Sequence, residues 1–171
     1  MASNLFLVGM TRKTNAARLL DGLGTAYELR AYDAGAEHMN ASEVARAIDM
    51  PPERVFKTLL ARGDPHGPCF AVIPGDADLD LKALARASQN RRVSLVPLKE
   101  VQPLTGYVRG GVTALAAKKT FAVYLDEGAL ALDRMAVSAG VKGLQIILSP
   151  QDYLRAVSAV PAALRAARSA G

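Results

Sequence analysis

The sequence predicts a mixed α/β fold carried by one domain, and three observations predict it. Short apolar strand-like runs and amphipathic helical segments follow one another without a fixed period. Half of the 171 residues are hydrophobic and 22% are charged, which is a globular balance. The chain length suits a single core, and no internal repeat or long Pro/Gly/Ser-rich linker divides it. Helices interrupt the strands too unevenly for a simple βαβ array.

Taken in order, residues 1–10 read as a leader, and the fold is expected to begin near Met10-Thr11-Arg12-Lys13. Within the leader, Leu5-Phe6-Leu7-Val8 is too short for a signal peptide and lacks a basic flank. Ala16, Leu19, Leu20 and Leu23 place one apolar face on a helix over 14–23, with Gly24 at its end. Tyr27 to Tyr32 alternates as a strand does. Asn40 and Glu43 form a capping-box pattern that opens a helix to about Ile48. Pro51-Pro52 starts a short helical turn, and Val55 to Ala61 reads as a buried strand. Residues 62–68 form a turn-rich hairpin connection, and Cys69 to Pro74 returns as a strand. Asp78 or Asp80 caps a helix carrying Leu81, Leu84 and Ala85 to Ser88.

Further on, Val93 to Val96 is a short strand and Lys99 to Leu104 a helical turn. Residues 105–117 form a glycine-punctuated loop. Phe121 to Leu125, Arg134 to Val137 and Leu144 to Leu148 are strands. Ser149 as cap, Pro150 in the first turn and Asp152 behind it open a helix through Val157. An Ala/Arg-rich helical tail is expected from Pro161.

Composition narrows the function classes. Cys69 is the single cysteine, so a disulfide framework is excluded and a reducing compartment is suggested. No run approaches the roughly 20 apolar residues of a membrane span, so a cytoplasmic location is expected. Lys and Arg number 21 against 16 Asp and Glu, a net charge of +5 that favours polyanionic partners. His38 and His66 are the two histidines, with no ligand spacing between them, so no metal and no cofactor are expected. No Gly-x-Ser-x-Gly elbow occurs, and a hydrolase of this sequence would work by positioning and electrostatics.

Three segments carry possible chemistry. Lys57 stands alone in the apolar run Val55-Phe56-Lys57-Thr58-Leu59-Leu60. Its ammonium either reaches solvent, meets an anion in a cleft, or guards a sheet edge. Thr105-Gly106-Tyr107-Val108-Arg109-Gly110-Gly111-Val112-Thr113 has paired glycines that let main-chain amides approach a phosphate or carbonyl oxygen. Arg109 adds a guanidinium and Thr113 a hydroxyl. A simple glycine-rich turn accounts for the same residues. Ser138-Ala139-Gly140-Val141-Lys142-Gly143 is a turn between strands, explained by hairpin chemistry or by a place in a pocket wall.

In the same order and at matching separations, these segments resemble the YbaK/EbsC family. Val55 to Leu60 is similar to its V[FY]KTL strand. Thr105 to Gly111 is similar to its TGY(I/L)xGG loop. Val137-Ser138-Ala139-Gly140 with Lys142 to Ile146 is similar to its VSAGKRGLQIEL turn. Lys13-Thr14-Asn15-Ala16 and Leu79-Asp80-Leu81-Lys82 add to the likeness, which spans nearly the whole chain after Met10.

The resemblance implies one editing domain over 11–171, a central mixed sheet or partly closed barrel surrounded by helices. It implies an enzyme that deacylates mischarged aminoacyl-tRNA, Cys-tRNA(Pro) first, by ester hydrolysis or thiolactone release. The partner would be the tRNA acceptor end rather than DNA or a membrane, with prolyl-tRNA synthetase as a further partner. Lys57 would hold the terminal adenosine's phosphate or ester end. Gly110, Gly111 and Thr113 would bind the aminoacyl carbonyl. Tyr32, Thr58, Tyr107, Arg109, Ser138 and Gly140 would surround the substrate. The substrate's own thiol would attack, in keeping with the missing protein nucleophile.

The chain also departs from the family pattern. Thr113-Ala114 replaces Ser-Pro in the loop, which narrows the pocket and frees the backbone. Val141 replaces a lysine, and the family's His/Asp pattern is missing around Gly35 to Asn40. An altered preference for Ala or Ser, or a weakened tRNA- or synthetase-binding module, are the alternatives these changes raise. A phosphate-ligand protein of unrelated type would rest on the loop and Lys57 alone.

Overall fold

The computed structural model describes residues 13–167. The expected leader over 1–10 and the last four residues lie outside that range. Thr14 accepts a hydrogen bond from Ala17 N and opens α1 (Asn15–Gly22), which buries Ala16, Ala17 and Leu20. β1 (Glu28–Ala31) follows, and the Asn40–Glu43 capping box then forms in full at the start of α2 (Ala41–Ala47). A 3-10 turn at Pro52–Arg54 leads into β2 (Phe56–Asp64) and β3 (Gly67–Pro74). Asp80, rather than Asp78, caps α3 (Leu81–Ala87). β4 (Arg92–Leu95), α4 (Leu98–Thr105) and β5 (Ala122–Asp126) come next. β6 (Met135–Ser138), β7 (Leu144–Leu148), the Ser149-capped α5 (Pro150–Val157) and β8 (Val160–Ala162) complete the order.

These strands form two sheets. One is antiparallel with order β1-β7-β6, and the other is mixed with order β4-β2-β3-β5-β8. A single parallel bridge, Val55 to Ala136, links them, so no closed barrel forms. The mixed sheet is buried on both faces. Phe56, Leu60, Phe70, Val72, Val123 and Leu125 enter the main core, while Ala61, Cys69, Ala71 and Ile73 pack with Leu84 of α3. Burial on both sides is why β3 reads as an unbroken apolar run.

Three expectations need correction. The helical tail from Pro161 is instead β8, parallel to β5, followed by a bridge between Leu79 and Arg165. Asp126 explains this: its Oδ1 accepts from Leu164 N at 3.0 Å and its Oδ2 lies 3.2 Å from Arg165 Nε, while Leu164 is fully buried. Helix propensity is worth tenths of a kcal/mol per residue and yields to such anchoring. The connection expected over 62–68 shrinks to Pro65-His66, because Arg62 and Gly63 pair with β3 on one side and β4 on the other, and Asp64 pairs with β4. The turn expected at Lys99–Leu104 is a full helix, α4, and a 3-10 segment at Glu127–Ala131 had no sequence signal that we recognised.

Candidate functional site

A cavity of about 460 Å³ opens where the two sheets meet, beside the free edge of β2. β4 pairs with β2 only over Ala61–Asp64, and the last contact beyond it is Val96 N donating to Leu60 O at 3.0 Å. Upstream, from Lys57 to Leu59, that edge pairs with no strand among the described residues. A strand residue's N–H and C=O point to one side, and successive residues alternate. Leu60 O faces β4, so the main-chain groups of Thr58 face the same way and open on the cavity, while Phe56 lies beside the Val55–Ala136 bridge to β6. Val55 O agrees with this phase, since it accepts from Gly75 N on the β3 side.

Lys57 lies on this wall, half-buried, with no ion-pair partner among the described residues. Of the other expected site residues, Tyr32, Thr58, Arg109, Gly110 and Ser138 also line the cavity. Arg109 and Lys142 are exposed there and carry no ion pair, and Glu37 is the one carboxylate on the wall among the described residues. The wall is therefore net positive and suits an anionic ligand.

The glycine loop folds down onto the β6–β7 turn. Tyr107 is the brace: its hydroxyl donates to Leu115 O at 2.7 Å, and its ring lies against Gly140. Gly140 has φ +101°, and a Cβ there would come within 2.9 Å of the Tyr107 ring, so only glycine fits. Gly111 is pressed on the same turn, where a Cβ would meet Val141 Cα at 3.1 Å.

The loop's donors divide differently from the expectation. Gly111 N donates to Val108 O at 2.9 Å, so this amide is already used within the loop. Gly110 N has no acceptor among the described residues and remains available. Thr113 is fully buried, and its Oγ1 accepts from Leu115 N at 3.2 Å. Thr113, Gly111, Tyr107 and Gly140 thus stand behind the wall and shape it. Ser138 Oγ accepts from Gly140 N at 3.1 Å and keeps its own proton to donate.

Sequence reasoning passed over several wall residues: Glu37, His38, Lys142, Gln145, and the apolar rim at Leu95 and Leu98. Gln145 had a usable signal, as the one polar residue in the apolar run of β7. The rim and the open strand edge had none, because both depend on where β4 stops pairing. Cys69 sits away from the cavity at 3% exposure, and burial pushes its thiol up to about 11. It is protonated at neutral pH and is no nucleophile.

Comparison with known proteins bears on the family and the fold. Residues 36–156 match the family described as the aminoacyl-tRNA editing domain. The chain is 41% identical over 143 residues to EbsC of Enterococcus faecalis, named as a candidate Cys-tRNA(Pro)/Cys-tRNA(Cys) deacylase; the match covers 84% of this chain and 87% of that protein. A solved structure described as a candidate trans-editing enzyme for prolyl tRNA synthetase superposes with a TM-score of 0.78 at 23% identity, over 92% of this chain and all of the other. A hypothetical protein of known structure gives 0.80 at 23% identity, over 89% and 99%. At that identity the two structures speak for the fold alone.

Proposed function

The chain belongs to the family of aminoacyl-tRNA editing domains, and from that premise we propose that it deacylates mischarged tRNA in trans, with Cys-tRNA(Pro) as its main substrate. The observation that carries the proposal is Lys57, a half-buried and unpaired cation on the wall of a cavity large enough for an aminoacyl-adenosine end. A half-buried ammonium that faces no carboxylate among the described residues is suited to a partner that arrives with a ligand. Phosphate or the ester end of the terminal adenosine is that partner, and Arg109 lines the same cavity.

The chemistry follows from the remaining groups. Gly110 N donates to the aminoacyl carbonyl oxygen as negative charge builds on it, with Gly111, Thr113 and Tyr107 holding the loop in place. Ser138 donates from the neighbouring end of β6, while Tyr32 and Thr58 confine the aminoacyl group. The substrate's own thiol sulfur attacks the carbonyl carbon, and the bond from that carbon to the ribose oxygen breaks. The thiol proton passes to the departing ribose oxygen, and the thiolactone released is opened by water. Positioning supplies the rate, since the thiol and ester already share one molecule.

Release of labelled amino acid from Cys-, Ala- and Pro-tRNA(Pro) tests the proposal. Fast loss of cysteine with proline spared is the expected result. Preferential loss of alanine would move the substrate within the same family. Tight binding of charged tRNA with no loss of any amino acid would favour a binding module, the reading that the engaged Gly111 amide supports. Association with prolyl-tRNA synthetase belongs to the proposal as well, because a domain this small grips little beyond the acceptor end. A pull-down that leaves the synthetase behind would remove that part.

A further inference from the structure

We propose that Gln145 recognises the α-ammonium group of the aminoacyl substrate, an inference that rests on the deacylase reading above. Gln145 is 5% exposed, its Oε1 is buried without a hydrogen-bond partner, and the residue lies on the cavity wall. The rest of β7 is apolar. Leu144, Ile146 and Leu148 enter the main core, and Ile147 packs with Val44 and Ile48 of the α2 region. Gln145 shares the face of Ile147, in register between Arg30 and Ser138.

A leucine of similar volume would occupy that position without an orphaned polar atom. Neither register neighbour hydrogen-bonds the carboxamide oxygen in this arrangement. Arg30 donates to Ile48 O at 2.7 Å and pairs with Glu28, and Ser138 Oγ accepts from Gly140 N. Oε1 as placed is closed off from the cavity, and a half-turn about the last side-chain bond exchanges the two ends of the carboxamide and turns the oxygen toward a donor that comes with the substrate.

An aminoacyl ester brings one strong donor, its primary ammonium. Lys57, Arg109 and Lys142 repel this group and leave it to an acceptor on the wall. Glu37 is the other acceptor side chain of note, but it is exposed on the loop before α2, where water screens it. The buried carboxamide holds the ammonium in a drier place, where a hydrogen bond to a charged group counts for more.

The test compares kcat/KM for Cys-tRNA and for its deaminated counterpart, 3-mercaptopropionyl-tRNA, in the wild type, Gln145→Leu, Gln145→Glu and Glu37→Gln. Gln145→Leu is expected to lose about tenfold to a hundredfold on Cys-tRNA and little on the deaminated ester. Gln145→Glu is expected to restore the preference for the ammonium, and thermal unfolding of Gln145→Leu is expected at or above the wild-type temperature. A Gln145→Leu variant that keeps the wild-type preference overturns the assignment, as does loss of that preference in Glu37→Gln alone. Wild type that leaves both esters intact sinks the deacylase reading itself, an outcome distinct from either.

Discussion

Lys57 and Gln145 present the same pattern in two different charge states, each a polar side chain set in an apolar strand and facing one cavity. Because Lys57 makes no ion pair among the described residues, Lys57→Ala should leave thermal stability nearly unchanged, within about 0.5 kcal/mol. Deacylation should fall by roughly a hundredfold or more in a single-turnover assay. Gly140→Ala should do the reverse in part, since the Tyr107 ring and the positive φ both oppose a methyl group there. A stability loss of about 1–3 kcal/mol in urea unfolding is expected, with reduced activity as the loop lifts. Cys69→Ala should keep deacylation within about twofold of wild type, as its buried thiol takes no part. Burial raises the folded thiol above its ordinary value of 9.0 to about 11, so the protonated form is favoured in the native state. Its stabilising effect is whole below pH 9 and is lost as pH rises toward 11, and Cys69→Ala should flatten the alkaline decline over that window. Lysine was legible in the sequence because a charge inside an apolar strand is conspicuous. Gln145 passed unread for want of charge, and Gly111 and Thr113 were read as ligand-facing although the loop uses their groups internally.

At the scale of elements, the helix starts were the most legible part of the chain. Thr14, Asn40, Asp80 and Ser149 all accept a main-chain N–H three residues on, and a cap needs only local sequence. Asn40 also lines the cavity, so Asn40→Ala should cost about 1 kcal/mol of stability and raise KM as the start of α2 loosens. The C-terminal strand was illegible for the opposite reason. Its partner is β5, far back in the chain, and its anchor is the buried Asp126, which looks in sequence like an ordinary strand-end acid. Asp126→Ala would orphan the amides of Gly128 and Leu164 together. A loss of roughly 2–4 kcal/mol is expected, with early proteolysis after Ala162 as the visible sign. The open edge of β2 belongs to the same class, since it exists only because β4 stops pairing at Ala61.

For the whole molecule, two sheets that meet at one bridge without closing leave a cleft at their junction, and the cavity occupies it. The net charge of +5 and the unpaired cations around the opening predict salt-sensitive use of a polyanionic substrate. Deacylation measured as kcat/KM should fall steadily from low to about 0.2 M salt, and a flat profile would argue against phosphate contacts. Among the described residues no helix is long and apolar enough to cross a membrane. The mixed α/β class was legible because periodicity and turn residues are local, whereas the split into two sheets depends on pairings between distant segments. The most direct measurement is the release of labelled cysteine from Cys-tRNA(Pro) by wild type and by Lys57→Ala, with Pro-tRNA(Pro) as control. The account predicts rapid release by the wild type, spared proline, and a folded variant that releases cysteine no faster than buffer. Equal rates in wild type and variant would contradict the role of Lys57, and no release by either would contradict the deacylase.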